Sequence, residues 1–256
     1  MEENKSGLQK FGIEIGNEAL FLGKFFRNLF RTGFEWGELV RQCYQIGYKS
    51  FPLVAITGFV LGLVLTMQSL PTMKNFGAAS FVPSMVAISI IREIGPVIIG
   101  LICAGKVASG IGAELGSMRV TEQLDALEVS GANSYQYLVV TRILACTFMI
   151  PLLTLISDAI SLIGGYVASN LSGTVSFELY FNKSFAALNF NDLFPSTIKS
   201  VFFGFAIGFV GCYKGFFTTG GTESVGVAAN TAVVTASLSI IILDAIAVQL
   251  TSLLAY

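Results

Sequence analysis

The chain has 256 residues, of which 54% are hydrophobic and 12% are charged, whereas an ordinary soluble domain carries about 25% charged residues. This composition argues against a water-soluble globular protein. The formal net charge is -1 and the sequence contains no histidine, so a histidine metal site and a histidine general base are excluded, and nucleic acid is not an expected partner.

The cysteines give no sign of a redox or metal-binding function. They lie far apart and form no CxxC pair, and three of the four lie in apolar stretches where thiols usually fill space: Cys43, Cys103, Cys146 and Cys212. We therefore expect no disulfide, no metal site and no cofactor.

Residues 1–50 precede the first long apolar run and carry an amphipathic pattern. Apolar residues recur at steps of three and four, opposite a set of basic residues. The apolar positions are Phe11, Ile15, Ala19, Leu22, Phe26 and Leu29. Directly before a membrane span, such a helix is predicted to lie flat in the cytoplasmic interface of the membrane. A core helix of a small soluble domain fits less well, because too few residues remain to build that domain.

Residues 51–256 are predicted to form a transmembrane domain. A bilayer core about 30 Å thick needs about 20 mainly apolar residues in one helix. Two such runs, 51–73 and 224–243, contain no charged residue, and three others contain only one or two. The predicted spans cover residues 51–73, 81–105, 143–170, 196–217 and 224–250. The predicted fold class is therefore an all-α integral membrane protein.

Lysine and arginine are distributed unevenly between the two sides that these spans define. With the N-terminus inside, eleven basic residues fall on the cytoplasmic side and three on the outer side, while Arg92 lies within a span. Basic residues are retained on the cytoplasmic side of short loops. We therefore expect a cytoplasmic N-terminus and a cytoplasmic loop between the second and third spans.

That loop is the most polar stretch between two hydrophobic spans. Its segment 119–131 reads as a short helix in which Glu122, Asp125 and Glu128 recur every third residue, while Leu124 and Leu127 lie on another side. An exposed helix with an apolar edge and an acidic edge is suited to docking a cytosolic partner. A solvated loop helix with ordinary surface acids fits the same pattern.

The ends of this short helix are marked by residues with known capping preferences. Thr121 is predicted to cap its N-terminus and Gly131 to end it. The sequence thus predicts a short helix that begins at the capping residue Thr121 and ends at Gly131.

Arg92 and Glu93 place adjacent charges inside the second span. A charge at bilayer depth costs about 2.5 kcal/mol or more unless it has a partner or a cavity, and mutual neutralisation is one interpretation. Adjacent residues point about 100° apart on a helix, so one of them is free to face a cavity. We hypothesise that Arg92 binds the phosphate of a phospholipid, for which its fork of donors is suited, and that Glu93 tunes that contact.

Three further residues are candidates for lining an acyl-chain cavity. Leu65, Met67 and Leu70 lie near the outer end of the first span. Direct contact with bulk lipid is the more ordinary role for such residues, and the sequence alone leaves both interpretations open.

Single acids occur in the third and fifth spans. Asp158 and Asp244 are potential proton sites of an ion-driven transporter. The alternative is that their carboxylates bond to neighbouring hydroxyls such as Ser157, Ser161 or Ser239.

Two stripes of glycine predict close helix contacts. The fourth span carries Gly204, Gly208, Gly211 and Gly215, and the first span carries Gly58 and Gly62. Small residues allow helices to approach closely in a membrane. Packing within one subunit is the default interpretation, and a dimer contact is the alternative.

The run from Arg92 to Ala145, REIGPVIIGLICAGKVASGIGAELGSMRVTEQLDALEVSGANSYQYLVVTRILA, resembles the signature region of the MlaE family of ABC transporter permeases. A weaker likeness extends from about Gly33 to the C-terminus. The resemblance implies a homodimeric permease of the bacterial inner membrane, within an Mce-associated phospholipid transport system. It also implies a separate cytosolic ATPase and an MCE-domain partner on the outer face.

The same resemblance implies that residues 119–131 form a coupling helix that seats in a groove of the ATPase. By match to the motif, the coupling residues are Arg119, Glu122, Gln123, Asp125, Leu127 and Glu128.

The chain is not expected to hydrolyse ATP itself. The nearest match to a phosphate-binding loop is GLICAGKV at residues 100–107. Val107 occupies the position that needs serine or threonine for Mg²⁺, and the preceding segment is an apolar span rather than a strand. An ion-coupled secondary transporter and a non-transporting membrane scaffold are the competing hypotheses.

Overall fold

A computed structural model describes residues 7–30, 34–131, 133–173 and 175–254, and these residues contain helices and no strand. The helices are α1 (Gly7–Leu29), α2 (Trp36–Asn75), α3 (Ala79–Val120), α4 (Gln123–Val129), α5 (Tyr135–Leu171), α6 (Phe177–Ala187), α7 (Phe190–Phe216) and α8 (Thr222–Leu254). Five of these, α2, α3, α5, α7 and α8, are long and apolar enough to cross a membrane. The predicted all-α fold with five spans is confirmed.

The long helices extend beyond the charge-poor runs of the sequence because polar residues continue them at one end. The helix α2 begins at Trp36, and within its first turns Glu38 accepts hydrogen bonds from Arg41 and Gln42. Short π-helical stretches interrupt α2 and α3 at Tyr44–Tyr48, Ile90–Ile94 and Ala104–Ala108, and another, Tyr135–Val140, begins α5. Each adds residues to a turn and shifts which side chains face the neighbouring helices.

The spans run alternately up and down, so the bundle has two distinct ends. At one end, which we call the α4 end, α4 joins α3 to α5, and α1 packs there against the start of α5 and the end of α7. Phe21 of α1 meets the rings of Tyr135 at 5.0 Å, Tyr213 at 5.4 Å and Phe217 at 5.7 Å. At the opposite end, the α6 end, α6 lies between α5 and α7.

The helix α1 contacts the bundle through a narrow set of residues. Phe21 and Phe25 are each 2% exposed. Ile15 and Phe26 of the predicted apolar stripe remain about half exposed, at 50% and 51%, and the side chain of Phe11 lies outside the described residues. The bundle-facing side therefore overlaps the predicted stripe only in part, through Leu29, and the membrane-interface position of the stripe stays a prediction.

The glycine stripes lie at helix contacts within the chain, as the default interpretation predicted. A β-carbon at Gly62 of α2 would overlap the carbonyl oxygen of Ser161 in α5, and one at Gly204 of α7 would meet the carbonyl of Cys146. The third contact joins α7 to α3, where Gly215 lies against Gly112. Backbones therefore touch directly along α2, α5, α7 and α3.

Candidate functional site

The short helix α4 presents most of the predicted coupling residues on one surface. Glu122, Gln123, Asp125 and Glu128 are exposed, and Arg119 joins them through an ion pair of 2.7 Å with Asp125. Ser134, directly before α5, donates to Glu128 at 2.8 Å. These contacts hold the acidic side chains in place while leaving them open to solvent.

The other side of α4 attaches it to the bundle. Leu124 is 1% exposed, and Leu127 is half-buried against the same hydrophobic core. The helix therefore has an anchored apolar side and a free acidic side, as its sequence pattern predicted.

The start of α4 differs from the prediction. Thr121 does not cap it, because α3 continues to Val120 and the Thr121 hydroxyl donates back to the carbonyl of Ser117 at 2.8 Å. Glu122 precedes α4 instead, in a left-handed backbone conformation with φ 58°, which is uncommon for a residue with a side chain. The other end is as predicted: Gly131, with φ 83°, follows the last turn.

A network of buried polar groups lies behind α4, and sequence reasoning did not identify it. Arg142 of α5 is 1% exposed and pairs with Glu114 of α3 at 2.9 Å. Glu38 of α2 accepts from Arg41 at 2.8 Å and from Tyr137 of α5 at 3.3 Å. The network thus connects three spans at the α4 end. Nothing in the sequence relates these residues, because they lie on three separate helices.

Between this network and α4 there is a cleft of about 480 Å³. Its lining residues come from all four elements: Arg41, Glu114, Met118, Gln123, Ala126, Leu127, Tyr137, Leu138 and Arg142. Two of the predicted coupling residues, Gln123 and Leu127, therefore border it.

A second set of charges lies toward the α6 end. Arg92 does not pair with its neighbour Glu93. Its guanidinium binds Asp192 at the start of α7, with 3.0 Å from Nε to Oδ1. Glu93 instead pairs with Lys199 of α7 at 2.7 Å. Mutual neutralisation of the two adjacent charges is therefore wrong, because the π-helical turn Ile90–Ile94 directs them to different partners.

Lys199 is the centre of this second set. Its side chain is 4% exposed, and its ammonium lies 2.7 Å from Glu93 and 3.3 Å from Asp244 of α8. Asp192 is equally buried, whereas 58% of the Arg92 side chain is exposed. The set therefore combines buried charges that hold three helices together with one arginine that reaches the surface.

The three predicted acyl-contact residues occupy different environments. Leu70 is 5% exposed and lies in a small apolar cluster with Val82, Val86 and Ile90, against which Leu65 packs. Met67 is 55% exposed. Of the three, Met67 is the side chain open to a lipid chain.

Asp158 is a buried acid without a hydrogen-bond partner among the described residues. It is 4% exposed, and neither carboxylate oxygen makes a hydrogen bond. The expected bond from Ser161 is not formed, because that hydroxyl donates to the main-chain carbonyl of Asp158 at 2.6 Å. Asp244 is paired with Lys199, while Ser239 donates to the carbonyl of Thr235. Bonding of these acids to the named hydroxyls is therefore wrong.

Known proteins resemble this chain along most of its length. A probable ABC transporter permease protein of Rickettsia felis is 36% identical over 91% of this chain and 90% of its own length. A protein of the same description from Synechocystis is 35% identical over 88% of this chain and 86% of its own length. The one from the red alga Pyropia yezoensis is 34% identical over 86% and 85%. The family described as Permease MlaE matches residues 39–250, and the chain belongs to that family of ABC transporter permeases.

Proposed function

We propose that this chain is the membrane subunit of an ATP-driven phospholipid transporter. It works as a homodimer in the bacterial inner membrane with the α4 end in the cytoplasm, it binds a cytosolic ATPase through α4, and it exchanges lipid with an MCE-domain protein at the α6 end. The observation that carries the proposal is α4 itself: a short helix between two spans, anchored by Leu124 and Leu127, with its acidic side exposed.

The distribution of charge supports docking of an ATPase at α4. Asp125 and Glu128 face solvent beside Arg119, so a partner groove with basic and apolar groups would find a complementary surface. Basic residues gather at the same end of the bundle, including Lys106 and Lys214, which supports a cytoplasmic position for this end.

The α6 end supports contact with lipid. Arg92 is exposed over more than half of its side chain although it lies within a span. Guanidinium groups recognise phosphate by paired hydrogen bonds, and the Asp192 partner is the group that a lipid phosphate would compete with. Met67, also toward this end, is exposed and suited to an acyl chain.

The span α8 supports association with a second copy. Only 17% of an apolar 18-residue stretch of α8 is buried within the chain. Exposed apolar residues such as Leu238, Ile241 and Ile242 lie along this helix. A face of this kind is available for another subunit as well as for lipid.

Reversal of charge on α4 tests ATPase docking. In the variant Asp125→Lys/Glu128→Lys, we expect the amount of ATPase that copurifies with the tagged permease to fall about tenfold, the loss typical of disrupted charge pairs worth about 1.4 kcal/mol. Glu223→Lys, which changes an exposed acid at the same end, is the matched control and should copurify normally. If the unsubstituted permease, the double variant and Glu223→Lys copurified equal amounts of ATPase, docking through α4 would be contradicted.

Removal of the Arg92 guanidinium tests lipid binding. We expect Arg92→Ala to lower both the phospholipid that copurifies in detergent, measured by mass spectrometry, and ATP-driven lipid movement between vesicles. Lys183→Ala removes a positive charge at the same end and serves as the control. Unchanged lipid content and transport in Arg92→Ala would contradict the role of this residue.

An ion-coupled transporter is the second candidate. The observation that favours it is the carboxyl of Asp158, which has no hydrogen-bond partner in the described part of the chain. Purified protein in vesicles with a proton gradient and no ATP would then move lipid, and Asp158→Asn would abolish that movement. We expect no movement under these conditions, because the proposed energy source is the separate ATPase.

A further inference from the structure

The cleft behind α4 is bordered on one side by α4 and on the other by an ion pair. Gln123, Ala126 and Leu127 form the α4 side. Across from them, Glu114 and Arg142 form an ion pair of 2.9 Å. A displacement of α4 that closes this cleft would therefore act on the pair.

The two partners of the pair are held very differently. Arg142 is 1% exposed, and its Nη1 also donates to the carbonyl of Leu138 at 2.9 Å, so its guanidinium is buried beside its own helix α5. Glu114 is 42% exposed, and the ion pair is its described contact. One partner is a buried charge that needs a counter-charge, and the other is partly open to solvent.

Loss of the contact would change the environment of a buried charge. The Nε of Arg142 already lacks a hydrogen-bond partner among the described residues. Glu38 is the second carboxylate of this network, and it is held by Arg41, Gln42 and Tyr137 of α2 and α5. Glu38 and Arg142 already interact electrostatically, so an Arg142 released by Glu114 would be drawn toward Glu38, which links the position of α3 to α2 and α5.

We infer that Arg142 is a positioning residue, and that the Arg142–Glu114 pair transmits movement of α4 to the spans. This inference rests on the proposed docking of an ATPase at α4. Pressing α4 into the cleft shifts Glu114, and the buried arginine then exchanges partners between α3 and α2. An element with two alternative pairings can be biased by a partner that binds one arrangement better.

The first test separates binding from coupling in the permease–ATPase complex. In Glu114→Gln the neutral side chain can no longer balance Arg142. We expect copurification of the ATPase to be unchanged and fluorescent phosphatidylethanolamine moved per ATP hydrolysed to fall about tenfold, within the usual range of coupling effects. Glu114→Asp keeps the negative charge and should recover most of the lipid moved per ATP hydrolysed. Glu223→Gln is the control and should match the unsubstituted complex.

The second test fills the cleft without changing a charge. Met118 lies on its α3 side. In Met118→Trp the larger side chain should block inward movement of α4, with normal copurification and a lowered ratio of lipid moved to ATP hydrolysed. Met118→Leu, which changes volume little, is the control.

The outcomes distinguish this inference from the function on which it rests. If Glu114→Gln loses the ATPase as Asp125→Lys/Glu128→Lys does, the pair merely maintains the docking surface and the inference is wrong, although the proposed function stands. If Glu114→Gln and Met118→Trp both move the normal amount of lipid per ATP hydrolysed, the inference is wrong as well. If charge reversal on α4 leaves the ATPase bound, the proposed function itself fails.

Discussion

Two sets of charges, one around Lys199 toward the α6 end and one on the surface of α4, lie in opposite environments. Toward the α6 end, Lys199 is 4% exposed and serves two carboxylates on different helices. At the α4 end, the pair between Arg119 and Asp125 is 41% and 57% exposed and joins residues close in sequence. The first arrangement ties spans together, whereas the second only orients side chains on a surface.

This difference follows from the cost of removing a charge from water. A buried ion with a missing partner costs several kcal/mol, so the charges of Lys199 and its partners constrain the fold. An exposed pair contributes about 1 kcal/mol or less, so Arg119 and Asp125 are free to exchange partners with another protein. The same kind of contact is thus structural around Lys199 and available for recognition on the surface of α4.

Removal of the Lys199 charge should have the largest effect on stability. Lys199→Met leaves Glu93 and Asp244 without their shared cation. We expect a loss of about 3 to 5 kcal/mol and a fall in Tm of about 10 °C in detergent. Lys74→Met, which changes an exposed lysine near the same end, should change Tm little. A Tm equal to that of the unsubstituted protein would mean that buried charge does not stabilise the α6 end.

Addition of one methyl group at a backbone contact should have the next largest effect. Gly62→Ala forces α2 away from the Ser161 carbonyl of α5, at a cost of about 1 to 3 kcal/mol. Gly105→Ala is the matched control, since a β-carbon there would have no atom of the described residues within 4 Å apart from its chain neighbours and the backbone of its own helix. Unfolding in detergent measures both variants, and similar behaviour of the two would show that the glycine contacts tolerate separation.

The exposed pair at α4 should contribute less again. Arg119→Ala removes the partner of Asp125, and we expect a loss of stability of less than about 1 kcal/mol. Copurification of the ATPase should fall although Tm is nearly unchanged. A large fall in Tm would erase the distinction between the two ends.

The smallest effect concerns Glu18 of α1. Burial raises the pKa of this carboxyl above its ordinary value of 4.5, although nearby Lys214 opposes the shift. The protonated form of Glu18 is favoured in the folded protein. Its contribution to the free energy of unfolding is therefore fully present below pH 4.5 and is lost as the pH rises through the raised pKa. Glu18→Gln should therefore match the unsubstituted Tm at acidic pH and slightly exceed it at neutral pH. A lower Tm of the variant at neutral pH would show that attraction to Lys214 dominates.

The spans and α4 were predictable because their signals are local. A run of apolar residues long enough to cross a bilayer identifies each span, and the spacing of Asp125 and Glu128 against Leu124 and Leu127 identifies the two sides of α4. The sequence also predicted that the glycines lie at helix contacts, although not which residues they touch, since Gly58 and Gly62 lie one helical turn apart on the same side of α2.

The ion pairs were not predictable, because each joins helices that the sequence does not place side by side. Lys199 was visible only as a charge near the end of a span, and its partners are 106 and 45 residues away. The partner of Arg142 was hidden for the same reason. Thr121 misled for a local reason: the same hydroxyl that can cap a new helix can also bond to the carbonyl four residues back, and in this chain it does so.

The direct backbone contacts made by Gly62 with Ser161, Gly164 with Phe59 and Gly204 with Cys146 limit how the subunit can change shape. Helices that interlock in this way cannot slide past one another without first separating, because each carbonyl sits where a side chain would otherwise be. A cycle that preserves these contacts must move the interlocked parts of α2, α5 and α7 together as one block. Opening and closing would then happen where this block borders α3, lipid or another protein, rather than along the glycine contacts.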